Sequence, residues 1–261
     1  MTEADATRTS RRTALVAGGL GLAVLAGCGP QGEPGAAGGA PGGSATTTGG
    51  PAAPGGAAPR RLRIGTSFVV SNMVPGDNPQ WHSTYGVAQT LYRILPEDKL
   101  APWIASSIAP DGQEGYTIKL NPAARFHNGK RIDAAAVQAC IERHLARGVQ
   151  VPSLKGARWE VVDSGTLRVK TTEPDPWLPN YLATAASFPI FDVAEVPEGG
   201  DPSALVGKGF YSGPFRASAL TADRLTLDAV PDAWDGAPKL AGVDVAFIRD
   251  PLARFNALKT G

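Results

Sequence analysis

An α/β class is predicted for residues 60–261 from three observations: segments with every second residue apolar, segments with apolar residues three or four apart, and the interleaving of the two along the chain. The first segment, Arg61-Leu62-Arg63-Ile64-Gly65-Thr66-Ser67, puts Leu62 and Ile64 on one face and reads as a half-buried strand. Tyr85, Ala88, Leu91, Tyr92 and Leu95 then recur at helical spacing after Ser83 or Thr84, which predicts a helix there. Tyr116-Thr117-Ile118-Lys119-Leu120 is a second strand. Asp133 is a good N-cap for an amphipathic helix whose apolar face carries Val137, Cys140, Ile141, His144 and Leu145 and which ends near Gly148. Residues 159–163 and 166–171 flank Asp163-Ser164-Gly165 and read as a hairpin. Residues 225–227 and 243–247 add two strands, and Asp250-Pro251 opens a last helix through Leu252, Phe255 and Leu258.

Composition divides the chain before residue 60. Fifteen of the 32 Gly lie in residues 1–59. Residues 1–28 follow the order of an export signal: basic Arg8, Arg11 and Arg12, an apolar run from Thr13 to Ala26, and small residues ending at Cys28. The run is too short to span a bilayer, which takes roughly 20 apolar residues. Leu25-Ala26-Gly27-Cys28 resembles the lipobox of bacterial lipoproteins, which implies that Cys28 is acylated and becomes the first residue of the mature protein. Ser10-Arg11-Arg12-Thr13 resembles a twin-arginine signal, and the sequence leaves twin-arginine and general export both open. In residues 29–59, 29 of 31 positions are Gly, Pro, Ala, Ser or Thr. Such a segment has too little apolar surface to offset the entropy of ordering it and is expected to be a disordered tether. A lipid-anchored protein on the extracytoplasmic face of the cell membrane follows from these features together.

The net charge of +1 excludes an electrostatic nucleic-acid binder, and 2 Cys exclude both a disulfide-dense scaffold and a paired CxxC zinc site. Catalytic patterns are mostly missing. Gly209-Phe210-Tyr211-Ser212-Gly213 lacks the Gly two residues before the Ser that a nucleophile elbow needs, so a secreted serine hydrolase is the contrasting alternative rather than the leading one. Gly129-Lys130 and Gly207-Lys208 lack the earlier Gly of a phosphate loop. His82, His127 and His144 stand apart without acidic partners at ligand spacing, so no metal and no cofactor is expected. Cys140 on its apolar helix face reads as a small hydrophobe.

Ligand binding is the role these residues favour. Asn72 and Met73 follow the first strand closely, and Trp81 and Tyr85 come soon after. Phe210, Tyr211 and Ser212 form a second aromatic group among small turn residues. Pockets combine apolar walls with a few placed polar groups, which these seven residues can supply; aromatics at such places equally pack a core, and the sequence leaves both open.

In order along residues 62–261, several stretches resemble the family 5 extracellular solute-binding proteins of ABC importers, the peptide and nickel binders. They are Gly86-Val87-Ala88-Gln89-Thr90-Leu91-Tyr92, Leu100-Ala101-Pro102-Trp103-Ile104-Ala105, Tyr116 to Leu120 leading to Phe126-His127-Asn128-Gly129, the Asp133 helix, Ser212-Gly213-Pro214-Phe215, Trp234-Asp235-Gly236-Ala237-Pro238, and Phe247 to Phe255. The resemblance implies a periplasmic-binding-protein-like α/β fold with two lobes closing on a solute. Residues 60–82 and 156–261 would form the first lobe, residues 83–155 a subdomain inserted in it, and the second lobe would be missing from this chain. It further implies a monomer that captures oligopeptides or a similar small solute for permease subunits, with a nickel chelate as the alternative solute. Residues 182–189 offer no Arg for an anionic chelate, which weakens that alternative.

Overall fold

The computed structural model describes residues 60–77, 79–184 and 186–260. The export signal, Cys28 and the tether lie outside the described residues.

Two four-stranded sheets carry the fold. The first contains β1 (Arg61–Thr66), β8 (Phe215–Leu220), β9 (Arg224–Ala229) and β10 (Gly242–Phe247), in the order β1-β10-β9-β8. β1 runs parallel to β10 with Arg61 opposite Gly242 and Thr66 opposite Phe247; the other pairs are antiparallel. Alternation places Val243 and Val245 in the core, while the side chain of Arg61, opposite Gly242, reaches along β10 to Asp244. Arg61 binds both Asp244 oxygens at 2.8 and 3.1 Å, Asp228 at 2.8 Å and the Leu227 carbonyl at 3.0 Å. These bonds, Asp244 first, raise the guanidinium pKa further above its ordinary value and tie β1 across β10 to β9.

The second sheet is antiparallel, β4 (Ala105–Pro110), β5 (Gly115–Leu120), β6 (Arg158–Asp163) and β7 (Thr166–Lys170) in the order β4-β5-β7-β6. β5 and β7 pair on either side of residue 155, the expected subdomain boundary, so this sheet draws strands from both segments. The hairpin turn forms where the sequence places it: Asp163 Oδ1 accepts the Gly165 N–H at 2.7 Å. Helix α2 (Ala134–Ala146) lies against β6 and β7. Its Asp133 cap accepts the Ala136 N–H at 2.8 Å, and Ala134, Val137, Cys140, Ile141 and His144 are buried beneath it. Gly148, with φ +99°, takes the chain out of the helix. A two-stranded ribbon, β2 (Tyr92–Ile94) with β3 (Leu100–Pro102), and short helices α1 (Pro79–Thr84) and α3 (Leu178–Tyr181) complete the body. The last helix, α4 (Pro251–Thr260), lies against β1 and buries no residue.

The helix expected over residues 85–95 is not formed. α1 stops at Thr84, Gly86 turns to φ +70°, and the chain then runs extended into β2. Long-range pairing decides this: the Gly86 carbonyl accepts the Phe215 N–H at 3.1 Å, and Gln89 forms an antiparallel bridge with Ile190. β4 and β8 go beyond the sequence reading, since ASSIAP and FRASAL bury one residue each and show little apolar alternation.

Candidate functional site

Ligands of open α/β sheets gather beyond the carboxyl ends of parallel strands, where loops of opposite direction leave a crevice. β1 and β10 form the one parallel pair between named strands of the described residues, which directs attention to the chain after Thr66 and Phe247. The Thr66 carbonyl accepts the Ile248 N–H at 2.7 Å, and its hydroxyl accepts the Phe68 N–H at 3.1 Å. These bonds fix the start of both loops. Phe68 is 45% exposed, an aromatic ring in solvent at a strand end, while Val70 and Met73 behind it are buried and anchor the loop. Asn72 shapes the following turn: its Oδ1 accepts the Val74 N–H at 2.8 Å and its amide donates to Asp77 at 3.2 Å. Asp77 in turn pairs with Arg147 at 3.3 Å, tying the loop to the residue that caps α2. The loop is thus held from behind and presents Phe68, Ser67 and Ser71 outward.

Apart from Asn72 and the buried Met73 of this loop, the sequence-selected residues lie elsewhere. Met73, Trp81, Phe210, Tyr211 and Ser212 are 1–2% exposed, in the packed interior rather than on a face open to solvent. Trp81 and His82 stand 4.1 Å apart between ring centroids, His82 and Tyr211 4.8 Å, and Phe210 and Tyr211 4.4 Å. Met73, Phe210 and Tyr211 line one small pocket of about 10 Å³, the size of a single water. Tyr85 is half-buried against the core, and Asn72 sits on its own turn. The small residues around the second aromatic group serve close backbone approach: a Cβ on Gly213 would stand 2.3 Å from the Gly86 carbonyl oxygen. Phe68 opens the run after the first strand that the sequence marks as aromatic and Met surface at a strand end, yet it is not one of the seven residues singled out, because neither its exposure nor the parallel β1–β10 pairing that gives its place meaning is a local property.

The site's surroundings bear on chemistry. Ser212 Oγ and Tyr211 Oη have no hydrogen-bond partner among the described residues, so no base is bonded to Ser212. His127 Nε2 sits 2.7 Å from the Gly213 carbonyl, which can only accept; the proton is therefore on Nε2. Burial pushes the His127 pKa down to about 4 against the opposing effect of that bond, so the ring is neutral at pH 7. Burial pushes the Cys140 thiol up to about 12, which removes it as a thiolate. No three His, Cys, Asp or Glu side chains among the described residues gather to hold a metal, and no described helix is long and apolar enough to cross a membrane. What the β1–β10 end offers is contact: an aromatic face, hydroxyls and loop amides.

Known proteins resemble this chain over the same body. The family described as bacterial extracellular solute-binding proteins, family 5 Middle, matches residues 99–261. A Brucella ovis protein described as an ABC transporter peptide-binding protein is 28% identical over 195 residues, covering 69% of this chain and 36% of its own length. The glutathione-binding protein GsiB of Escherichia coli K12 is 29% identical over 190 residues, covering 66% and 35%. The chain thus spans about a third of the length of these curated relatives. Among solved structures, a nickel ABC transporter protein from Bacillus halodurans aligns with TM-score 0.62 at 32% identity, over 77% of this chain and 42% of that one. The oligopeptide-binding protein AppA from Bacillus subtilis, in complex with a nonapeptide, aligns with TM-score 0.65 at 20% identity, over 78% and 44%. With the family pattern matched over more than half of its residues, and the periplasmic-binding-protein-like α/β fold repeated in these structures, the chain belongs to the bacterial extracellular solute-binding proteins, family 5.

Proposed function

We propose that the chain captures an oligopeptide or a similar small solute outside the cytoplasmic membrane for the permease subunits of an ABC importer. It does so as a monomer without a cofactor, anchored by acylated Cys28 and spaced from the membrane by residues 29–59. Residues 60–82 and 156–261 are read as first-lobe structure and residues 83–155 as the subdomain inserted in it. The observation that carries the reading is Phe68, exposed at the carboxyl end of the parallel pair on a loop pinned by Val70, Met73 and Asn72. A rigid aromatic face beside loop amides binds a peptide by stacking and by hydrogen bonds to its backbone, and neither contact depends on side-chain sequence.

Calorimetric titration of the full chain with glutathione and with a tripeptide mixture tests this. Binding is expected, weakened at least about tenfold, or about 1.4 kcal/mol, in Phe68→Ser. No heat with either solute up to millimolar concentration, or equal affinity in Phe68→Ser, would overturn it. A nickel–histidine complex is the second arm, motivated by the likeness to the Bacillus halodurans protein; binding of that complex alone would favour the nickel-chelate reading. The anchor has its own test: Cys28→Ala is expected to release the protein from membranes, and retention there would sink the lipoprotein reading.

A further inference from the structure

The loop that carries Phe68 is packed inward by Val70 and Met73, but its polar ties to the rest of the molecule run to one side chain. Among the described residues, every hydrogen bond or ion pair that joins residues 67–77 to an element beyond β1 goes to Arg147. Arg147 Nη1 donates to the Pro75 carbonyl at 3.4 Å and to Asp77 Oδ1 at 3.3 Å. Asp77 Oδ2 accepts the Asn72 amide at 3.2 Å, and Asn72 Oδ1 accepts the Val74 N–H at 2.8 Å. These bonds run in series from α2 to Asn72, close in the chain to Phe68. Arg147 is itself fixed: it caps α2, its N–H bonds to the Arg143 and Leu145 carbonyls, and α2 buries five side chains. Gly76, with φ +96°, lets the turn between Pro75 and Asp77 close beneath the Arg147 side chain, a backbone conformation that other residues rarely adopt. Arg147 is 35% and Asp77 45% exposed at the side chain, beside a cleft of about 240 Å³, so water and ions reach the pair. Pairs exposed in this way contribute little to global stability.

We propose that Arg147 is a positioning residue for solute capture: through Asp77 and Asn72 it holds residues 67–77 in the placement that presents Phe68 to the solute, without meeting the solute itself. This rests on the solute-capture reading above. With the strap cut, the loop keeps its Val70 and Met73 anchors but samples other placements, and apparent affinity falls with the fraction of chains whose loop is in place. A loss of about fivefold, or about 1 kcal/mol, is the most that an exposed pair supplies.

Two variants of the full chain cut the strap from opposite ends, Arg147→Gln on α2 and Asp77→Asn on the loop. In the chain without solute, amide hydrogen exchange at Val74 and Asp77 is expected to be at least about threefold faster in both variants, with the α2 amides unchanged. Calorimetry with glutathione and with the tripeptide mixture is expected to show affinity about threefold to fivefold lower in each variant, and no lower in the double variant, because both changes cut the same strap. Raising NaCl to about 0.5 M should bring the parent's affinity toward that of the variants, since salt screens an exposed pair. Unchanged loop exchange in Arg147→Gln overturns the proposal. Faster loop exchange with unchanged affinity overturns it too, because affinity would then not depend on how the loop is placed. Additive losses in the double variant also overturn it, since the two residues would then act separately. A parent chain that binds neither solute defeats the capture reading and takes this inference with it, whereas parent binding that both variants leave unchanged defeats the inference alone.

Discussion

α2 and α4 each lie against a sheet, and they are opposite cases. α2 lies against β6 and β7 and buries five side chains, its cap is satisfied, and its His144 Nε2–H donates to the Pro189 carbonyl at 2.8 Å. α4 buries none and holds three large apolar side chains in solvent over an edge strand. Helical propensity does not separate them; tertiary burial does, since an isolated helix of ten residues is marginal in water. The α2 face of the antiparallel sheet is therefore packed, and the α4 face over β1 is exposed among the described residues. Stability belongs to the first and exposed surface to the second.

Substitutions in the two helices measure that contrast. Ile141→Ala removes a fully buried side chain under α2 and is expected to cost about 2–5 kcal/mol in urea unfolding. A loss below about 1 kcal/mol would mean that this core repacks freely and the contrast is weaker than the packing implies.

Acid should strike the packed region next. His127 and His144 are both held neutral, chiefly by burial and against the bonds they donate, with His127 at about 4. The unfolded imidazole takes up a proton near 6.5, the folded His127 only near 4. Its stabilisation is thus complete above about 6.5 and is lost as pH falls toward 4, by up to about 3 kcal/mol at 1.36 kcal/mol per unit. Unfolding measured from pH 7 to pH 4 should show a shallower decline in His127→Asn than in the parent. Parallel declines would place the acid sensitivity in the carboxylates instead.

Smaller effects sharpen the contrast from both sides. Asp133→Ala should cost about 1 kcal/mol, because the Ala136 N–H loses its acceptor at the start of a helix that is itself well packed. Leu258→Ser, 82% exposed on α4, should change stability by less than about 0.5 kcal/mol. A larger loss there would show that α4 is seated more firmly than its exposure indicates.

The same contrast explains what could be read in the sequence. α2 is written locally in Asp133, the apolar spacing and Gly148, and the 163–165 turn in Asp and Gly; both stand in the structure. α4 is equally legible as a helix, yet nothing in PLARFNALKT says that its apolar side chains are exposed among the described residues. Residues 85–95 have helical spacing and are extended, because Gly86 and Gln89 bond to Phe215 and Ile190, more than 100 residues away in sequence. The aromatics of residues 210–211 look the same as sequence whether they line a pocket or pack a core; the close approach at Gly213 is what puts them inside. Phe68 had to wait for the pairing of β1 with β10.

Amide hydrogen exchange of the full chain, with and without saturating glutathione or tripeptide mixture, tests the central claim most directly. Solute capture at the carboxyl end of β1 and β10 predicts new protection in residues 66–72 and 248–250, with α2 unchanged because its amides are already protected. Protection confined to other segments, or none despite a measured heat of binding, would contradict it.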